Sequence, residues 1–124
     1  MSGKKILIVD DDPDVLRGLG IRLKGSGYDT VFAADGYAAT TVAQKERPDL
    51  ILLDIGLPAG DGFVVMERLK NIYDFAFTPI IVLTARDPRG TKEKALKAGA
   101  TAFFQKPADN KELLAAIEKA LGDA

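Results

Sequence analysis

Three consecutive aspartates, Asp10, Asp11 and Asp12, close the apolar run Ile6-Leu7-Ile8-Val9. Asp54 closes Leu50-Ile51-Leu52-Leu53, Thr84 closes Ile80-Ile81-Val82-Leu83, and Lys106 closes Ala102-Phe103-Phe104-Gln105. If the four runs are parallel strands of one sheet, these polar groups converge on the rim where open α/β sheets hold their ligands. Acids at neighbouring strand ends repel one another, and a divalent cation offsets that cost. Carboxylate, carbonyl and water form the ligand set that Mg²⁺ prefers. A metal and an ammonium together neutralise charge on a phosphoryl group. An aspartate can then serve as the nucleophile and become an acyl phosphate, with no general base because a carboxylate is already ionised at neutral pH.

Singly, each landmark has a plainer reading. Asp12 before Pro13 caps a helix. Asp10, Asp11 and Asp54 could solvate strand ends, Thr84 suits any strand, and a lone Lys106 is a solvated charge. The joint pattern carries the chemistry.

Composition narrows the classes. The 124 residues are 47% hydrophobic, enough for one domain with a real core. The net charge of −1 argues against a nucleic-acid surface, which needs a basic face. Without Cys or His there is no disulfide frame, thiol chemistry or imidazole base, and any metal must be held by oxygen, favouring Mg²⁺, Mn²⁺ or Ca²⁺ over Zn²⁺. No apolar stretch approaches the roughly 18 residues of a membrane span, and no signal-peptide pattern is present. A cytoplasmic protein with no membrane partner is the expectation.

Elements that could position the rim alternate along the chain. Lys5 to Val9 and Leu50 to Leu53 read as central strands buried on both faces. Asp29 to Ala33 is a weaker, edge-like strand, and Ile80 to Leu83 and Ala102 to Gln105 supply two more. Helices are predicted from Pro13, from Asp35 to about Arg47, from Phe63 to Lys70, from Thr91 to Ala98, and from Asp109 or Asn110 to about Leu121. A long loop, Ile55 to Gly62, follows Asp54. In the connector Asn71 to Phe77, the aromatics Tyr73, Phe75 and Phe77 are expected to be core filler. Five strands alternating with five helices imply a doubly wound α/β fold with a parallel sheet. Residues 1–124 then form a single domain with nothing left to build an output domain.

In order, the chain shows Asp10-Asp11, Arg47-Pro48-Asp49-Leu50-Ile51-Leu52-Leu53-Asp54, Leu57-Pro58, Asp61-Gly62, Pro79-Ile80-Ile81-Val82-Leu83-Thr84-Ala85, Ala98-Gly99-Ala100 and Lys106-Pro107. This series closely resembles the receiver domain of two-component response regulators over nearly the whole length. The resemblance implies a flavodoxin-like sheet in strand order 2-1-3-4-5. It implies that Asp54 is the phosphoacceptor and that Mg²⁺ is held by Asp10, Asp11, Asp54 and the backbone carbonyl of Gly56. It further implies that Lys106 contacts the phosphoryl group, that Thr84 turns inward to bond it, that Phe103 is the aromatic switch, and that the Lys106-Pro107 bond is cis.

On this resemblance the phosphoryl donor is a sensor histidine kinase or a phosphotransfer protein. The responding surface, formed by the fourth helix, fifth strand and fifth helix, controls an unidentified output partner and leaves room for a phosphorylation-dependent homodimer. Gly56 and Arg86 occupy positions that tune phosphoryl lifetime in the family. Gly56 has no side chain to position a water and Arg86 could cover the phosphate, so a long-lived group is the expectation. Ala108 replaces a frequent Phe after the Lys-Pro step, which predicts looser packing there.

Other readings fare worse. A Mg²⁺-dependent phosphatase of haloacid-dehalogenase type would need a second Asp two residues after its nucleophile, where Gly56 stands. A flavin or nucleotide carrier would need a Gly- or Ser/Thr-rich phosphate loop where three aspartates stand. A receiver that signals without phosphorylation would have no use for the intact acids, Thr84 and Lys106. The chain is therefore expected to be modified rather than to turn over substrates.

Overall fold

Runs of Ile, Leu and Val pack best on a pleated surface buried on both sides, and the chain uses three of them at the centre of its sheet. A computed structural model describes residues 3–57 and 62–122. The order is β1 (Lys5–Val9), α1 (Pro13–Gly25), β2 (Asp29–Ala33), α2 (Gly36–Glu46), β3 (Leu50–Leu53), α3 (Gly62–Asn71), β4 (Ile80–Thr84), α4 (Pro88–Lys97), β5 (Ala102–Gln105) and α5 (Asn110–Leu121). All strand pairs are parallel, in the order β2-β1-β3-β4-β5. This is the flavodoxin-like doubly wound sheet that the sequence pattern and the resemblance led to.

Strand alternation sorts the core into two layers. Leu7, Val9, Ile51, Leu53, Ile80 and Val82 pack with side chains of α2, α3 and α4. Ile6, Ile8, Leu50, Leu52, Ile81 and Leu83 pack with Leu19 and Leu23 of α1 and Leu113 and Ile117 of α5. Each buried Ile, Leu or Val contributes about 1.5–3 kcal/mol. The core, not the polar rim, therefore fixes where the strand ends stand.

Helix ends follow local chemistry. Asp12, Asp35 and Asp109 cap α1, α2 and α5, their carboxylates accepting from the amides of Asp14, Ala38 and Lys111. A cap of this kind is worth about 1 kcal/mol. Arg47 ends α2 in the left-handed region at φ 51°, because the following Pro48 disfavours a further helical residue. Helix α4 is nominally longer than the predicted Thr91 to Ala98. However, Arg89 (ψ 119°) and Gly90 (φ 75°) break the helical path, so the regular turns begin after Gly90. Ala95 is the only residue of α4 that is buried.

The connector after α3 departs from expectation. Tyr73–Phe75 is a 3₁₀ turn, and Phe75 is buried as core filler, but Phe77 is 95% exposed. The amide of Thr78 closes a turn on the Phe75 carbonyl at 3.1 Å, so the chain reverses between the two aromatics and only the first faces the core. The Tyr73 side chain and the loop residues Pro58 to Asp61 lie outside the described residues.

Candidate functional site

The sheet order brings the polar strand ends together. β1 and β3 pair with Val9 opposite Leu53, so Asp10 and Asp54 emerge side by side, the Asp54 amide bonding the Val9 carbonyl at 3.0 Å. At the far side of β4, the Lys106 amide bonds the Thr84 carbonyl at 2.7 Å. The long Lys106 side chain then reaches back across β4. Its Nζ donates to Asp10 Oδ2 at 2.5 Å and to Asp54 Oδ2 at 3.1 Å. The other carboxylate oxygens are held by backbone donors: the Asp12 amide on Asp10 Oδ1 at 2.9 Å, and the Gly56 amide on Asp54 Oδ1 at 2.8 Å.

Asp10 and Asp54 are buried, 2% and 7% exposed. Burial pushes the Asp10 carboxyl above its ordinary range, and the hydrogen bonds from Lys106 and the Asp12 amide oppose that shift without cancelling it. Burial also works against the Lys106 charge, but its hydrogen bonds to Asp10 and Asp54 and the attraction of both carboxylates hold its pKa above the ordinary lysine value. The two directions are compatible, because the Asp10 side chain is almost fully enclosed while that of Lys106 keeps one-fifth of its surface in water. Lys106 is therefore a permanent cation at neutral pH.

One carboxylate oxygen each from Asp10, Asp11 and Asp54 lies within 4.8 Å of the others. Asp11 is exposed, so the cluster opens to solvent on its side. All three donors are hard oxygens, which fits a hydrated Mg²⁺-type cation. Thr84 is buried, and its Oγ1 accepts from the Arg86 amide at 3.3 Å. A methyl added at Gly56 would sit 3.2 Å from Asp54 Oδ1 and 3.7 Å from both Thr84 Oγ1 and Arg86 Nε. Gly56 thus leaves open the space where Asp54, Thr84 and the Arg86 guanidinium meet. The Lys106-Pro107 peptide bond is cis.

The family model for the response regulator receiver domain matches residues 6–118. The chain belongs to this family. It is 39% identical over 118 residues to the alkaline phosphatase synthesis transcriptional regulatory protein PhoP of Bacillus subtilis, covering 95% of this chain and 48% of that protein. The chain spans about half the length of the curated relatives it matches. Among solved structures it resembles the chemotaxis response regulator CheY4 of Vibrio cholerae, with TM-score 0.89 and 32% identity over 97% of this chain and 100% of that one. It also resembles the receiver domain of a Pseudomonas aeruginosa sensor histidine kinase, with TM-score 0.88 and 32% identity over 98% of this chain and 99% of that one. That structure has a magnesium ion coordinated in its active site cleft.

In this receiver domain the structure brings Asp10, Asp11, Asp54, Thr84, Lys106, Gly56 and Arg86 to one rim. It does not bring Phe103 there. Phe103 is half-buried opposite Val82 and packs on the layer that α2, α3 and α4 cover. Two contributors escaped the sequence reading. The Asp12 amide aligns Asp10, a role invisible in a residue that also caps α1. Gly62 packs against the backbone beyond Asp54, where an added methyl would lie 2.2 Å from the Ile55 Cα and 2.9 Å from the Asp54 carbonyl oxygen. A glycine opening a helix directly after a Gly/Pro loop was the available signal.

Proposed function

We propose that residues 1–124 act as one receiver unit that takes a phosphoryl group onto Asp54. The donor is a phosphohistidine of a sensor histidine kinase or phosphotransfer protein. The bond from phosphorus to the donor nitrogen breaks as a bond to an Asp54 carboxylate oxygen forms, and the imidazole leaves. The single observation that carries this reading is the buried Asp54 held between the Gly56 amide and the Lys106 ammonium, beside a hydroxyl and two further acids.

Asp10, Asp11, Asp54 and the Gly56 carbonyl would hold Mg²⁺, with Mn²⁺ as a substitute of the same ligand preference. The cation, when bound, supplies neutralisation of the incoming phosphoryl oxygens. Lys106 supplies charge from the other side. Because it already spans Asp10 and Asp54, its ammonium exchanges a carboxylate for phosphoryl oxygens rather than being recruited from water. Thr84 is poised beside the same space and turns its hydroxyl to an added oxygen. Movement of Thr84 frees room for Phe103 to rotate, and the surface of α4, β5 and α5 shifts between two pre-existing arrangements. Arg86 covers the group and Gly56 places no side chain to orient a water, which favours a long-lived phosphoryl. The output is a domain or protein that reads this surface, in the cytoplasm; no described helix is long and apolar enough to cross a membrane.

Incubation with a small phosphodonor and Mg²⁺ is expected to add one phosphoryl group, about 80 daltons by intact mass, and Asp54→Asn is expected to remove the gain. No gain in the parent protein, or an equal gain in Asp54→Asn, overturns the assignment. Thr84→Ala, phosphorylated to the same extent, is expected to lose the change in α4 and β5 amide resonances that the parent protein shows. An unchanged response refutes the coupling through Thr84.

A further inference from the structure

We infer that the flank of α4 carrying Lys92 and Leu96 docks an acidic, amphipathic segment of a partner protein. The inference rests on the reading of α4, β5 and α5 as the responsive surface, and it adds the chemistry of what that surface holds.

The charge is unevenly placed. Between Arg86 and Lys97 stand five cations and two acids, in a chain whose net charge is −1. Both acids are already engaged, Asp87 with Arg89 at 2.7 Å and Glu93 with Lys97 at 3.1 Å. Lys94 leans the other way, its Nζ 4.4 Å from the centre of the Phe63 ring on α3. Among the described residues, no carboxylate lies within ion-pair distance of the exposed Lys92. Leu96, four residues on and so along the same flank, is 42% exposed. The adjacent segment Thr101 to Gln105 adds no charge of either sign. A cation and an exposed leucine at helical spacing fit a segment that presents an acid and an apolar side chain at matching spacing.

Two other occupants fit less well. A two-fold pairing of this chain through α4 needs a self-complementary patch, but the acids that could answer Lys92 are taken. A nucleic-acid backbone needs a broad basic face, and the same end of this molecule exposes Asp11.

The test uses the full chain, isotope-labelled, with and without phosphodonor and Mg²⁺. The probes are an amphipathic peptide with Glu and Leu at four-residue spacing, the same peptide with Lys for Glu, and a DNA duplex. The Glu peptide is expected to shift amides of 91–105, and to bind about tenfold more weakly when the salt is raised severalfold. Lys92→Glu is expected to weaken binding by at least about tenfold while leaving the melting temperature unchanged. Equal binding of the Lys peptide, DNA shifting the same amides, a Lys92→Glu protein that binds as before, or a dimer that Lys92→Glu dissolves would each overturn the inference. Intact mass on the same samples separates the two readings. Phosphoryl uptake without peptide binding sinks the docking inference alone. Peptide binding without phosphoryl uptake sinks the phosphoacceptor assignment alone.

Discussion

Replacing Gly62 with alanine tests how tightly the acceptor strand end is held. The added Cβ would lie 2.2 Å from the Ile55 Cα and 2.9 Å from the Ile55 carbonyl carbon and the Asp54 carbonyl oxygen. Carbon atoms rest at about 3.5–4.0 Å, so the first turn of α3 must retreat by more than about 1 Å. Every obstructing atom is backbone, so no rotamer change relieves the clash. Overpacking of this kind costs about 1–3 kcal/mol. The retreat also stretches the 3.1 Å hydrogen bond from the Gly62 amide to the Ile55 carbonyl, worth about 1 kcal/mol. The sum, about 3 kcal/mol, corresponds to a melting temperature lower by roughly 10 °C for a domain of this size. Thermal and urea unfolding would measure it, and phosphoryl uptake at Asp54 is expected to slow because the Asp54 carbonyl is among the atoms displaced. Gly18→Ala is the contrasting control. That mid-helix position has nothing within 4 Å of an added Cβ, and the change is expected to stabilise by up to about 1 kcal/mol. A Gly62→Ala protein melting within about 2 °C of the parent would show that the loop after Asp54 yields freely, and the argument for a rigid acceptor end would fall.

Lys106→Met leaves Asp10 and Asp54 buried without their shared cation and is expected to cost about 3 kcal/mol at neutral pH, the lower end for a broken buried pair because Lys106 is partly wet. Urea midpoints check this, and a loss below about 1 kcal/mol would reduce the bridge to a surface ion pair. Lys70, whose Nζ bonds the Thr78 carbonyl at 3.0 Å, has its pKa lowered by burial. Its charge is therefore a cost at neutral pH that disappears as pH rises from the folded to the ordinary lysine value. The parent protein should gain stability relative to Lys70→Met through that alkaline window, and parallel curves would contradict it. Ala108 lines a cavity of about 350 Å³ between α1 and α5. Ala108→Phe is expected to fill part of it and raise stability by about 1 kcal/mol, read from the urea midpoint; a lower midpoint would mean that the space is not available to a ring.

What was legible in the sequence was whatever local chemistry determines. Asp54 could be placed because four buried hydrophobic residues precede it and a Gly/Pro loop follows. Asp12 and Asp35 could be read as caps because capping is settled within three residues. Phe77 could not, since its side depends on how a 3₁₀ turn closes on the Phe75 carbonyl, and spacing does not encode that. Gly62 stood among the family marks, but its necessity arises only when α3 is laid against Ile55. The Lys106 bridge to Asp10 spans three strands, so no pattern within a segment could announce it.

Helix α4 is held to the sheet by one small residue, Ala95, whereas α5 sinks Leu113 and Ile117. A methyl group returns far less on burial than two branched side chains, which leaves α4 among the least costly elements to release. Its amides should exchange with solvent through local opening, well before those of β1, β3 and β4. A segment so lightly tethered needs only a small bias in free energy to be redistributed. The receiver can therefore answer a change at Asp54 at one edge while the rest of its core stays closed.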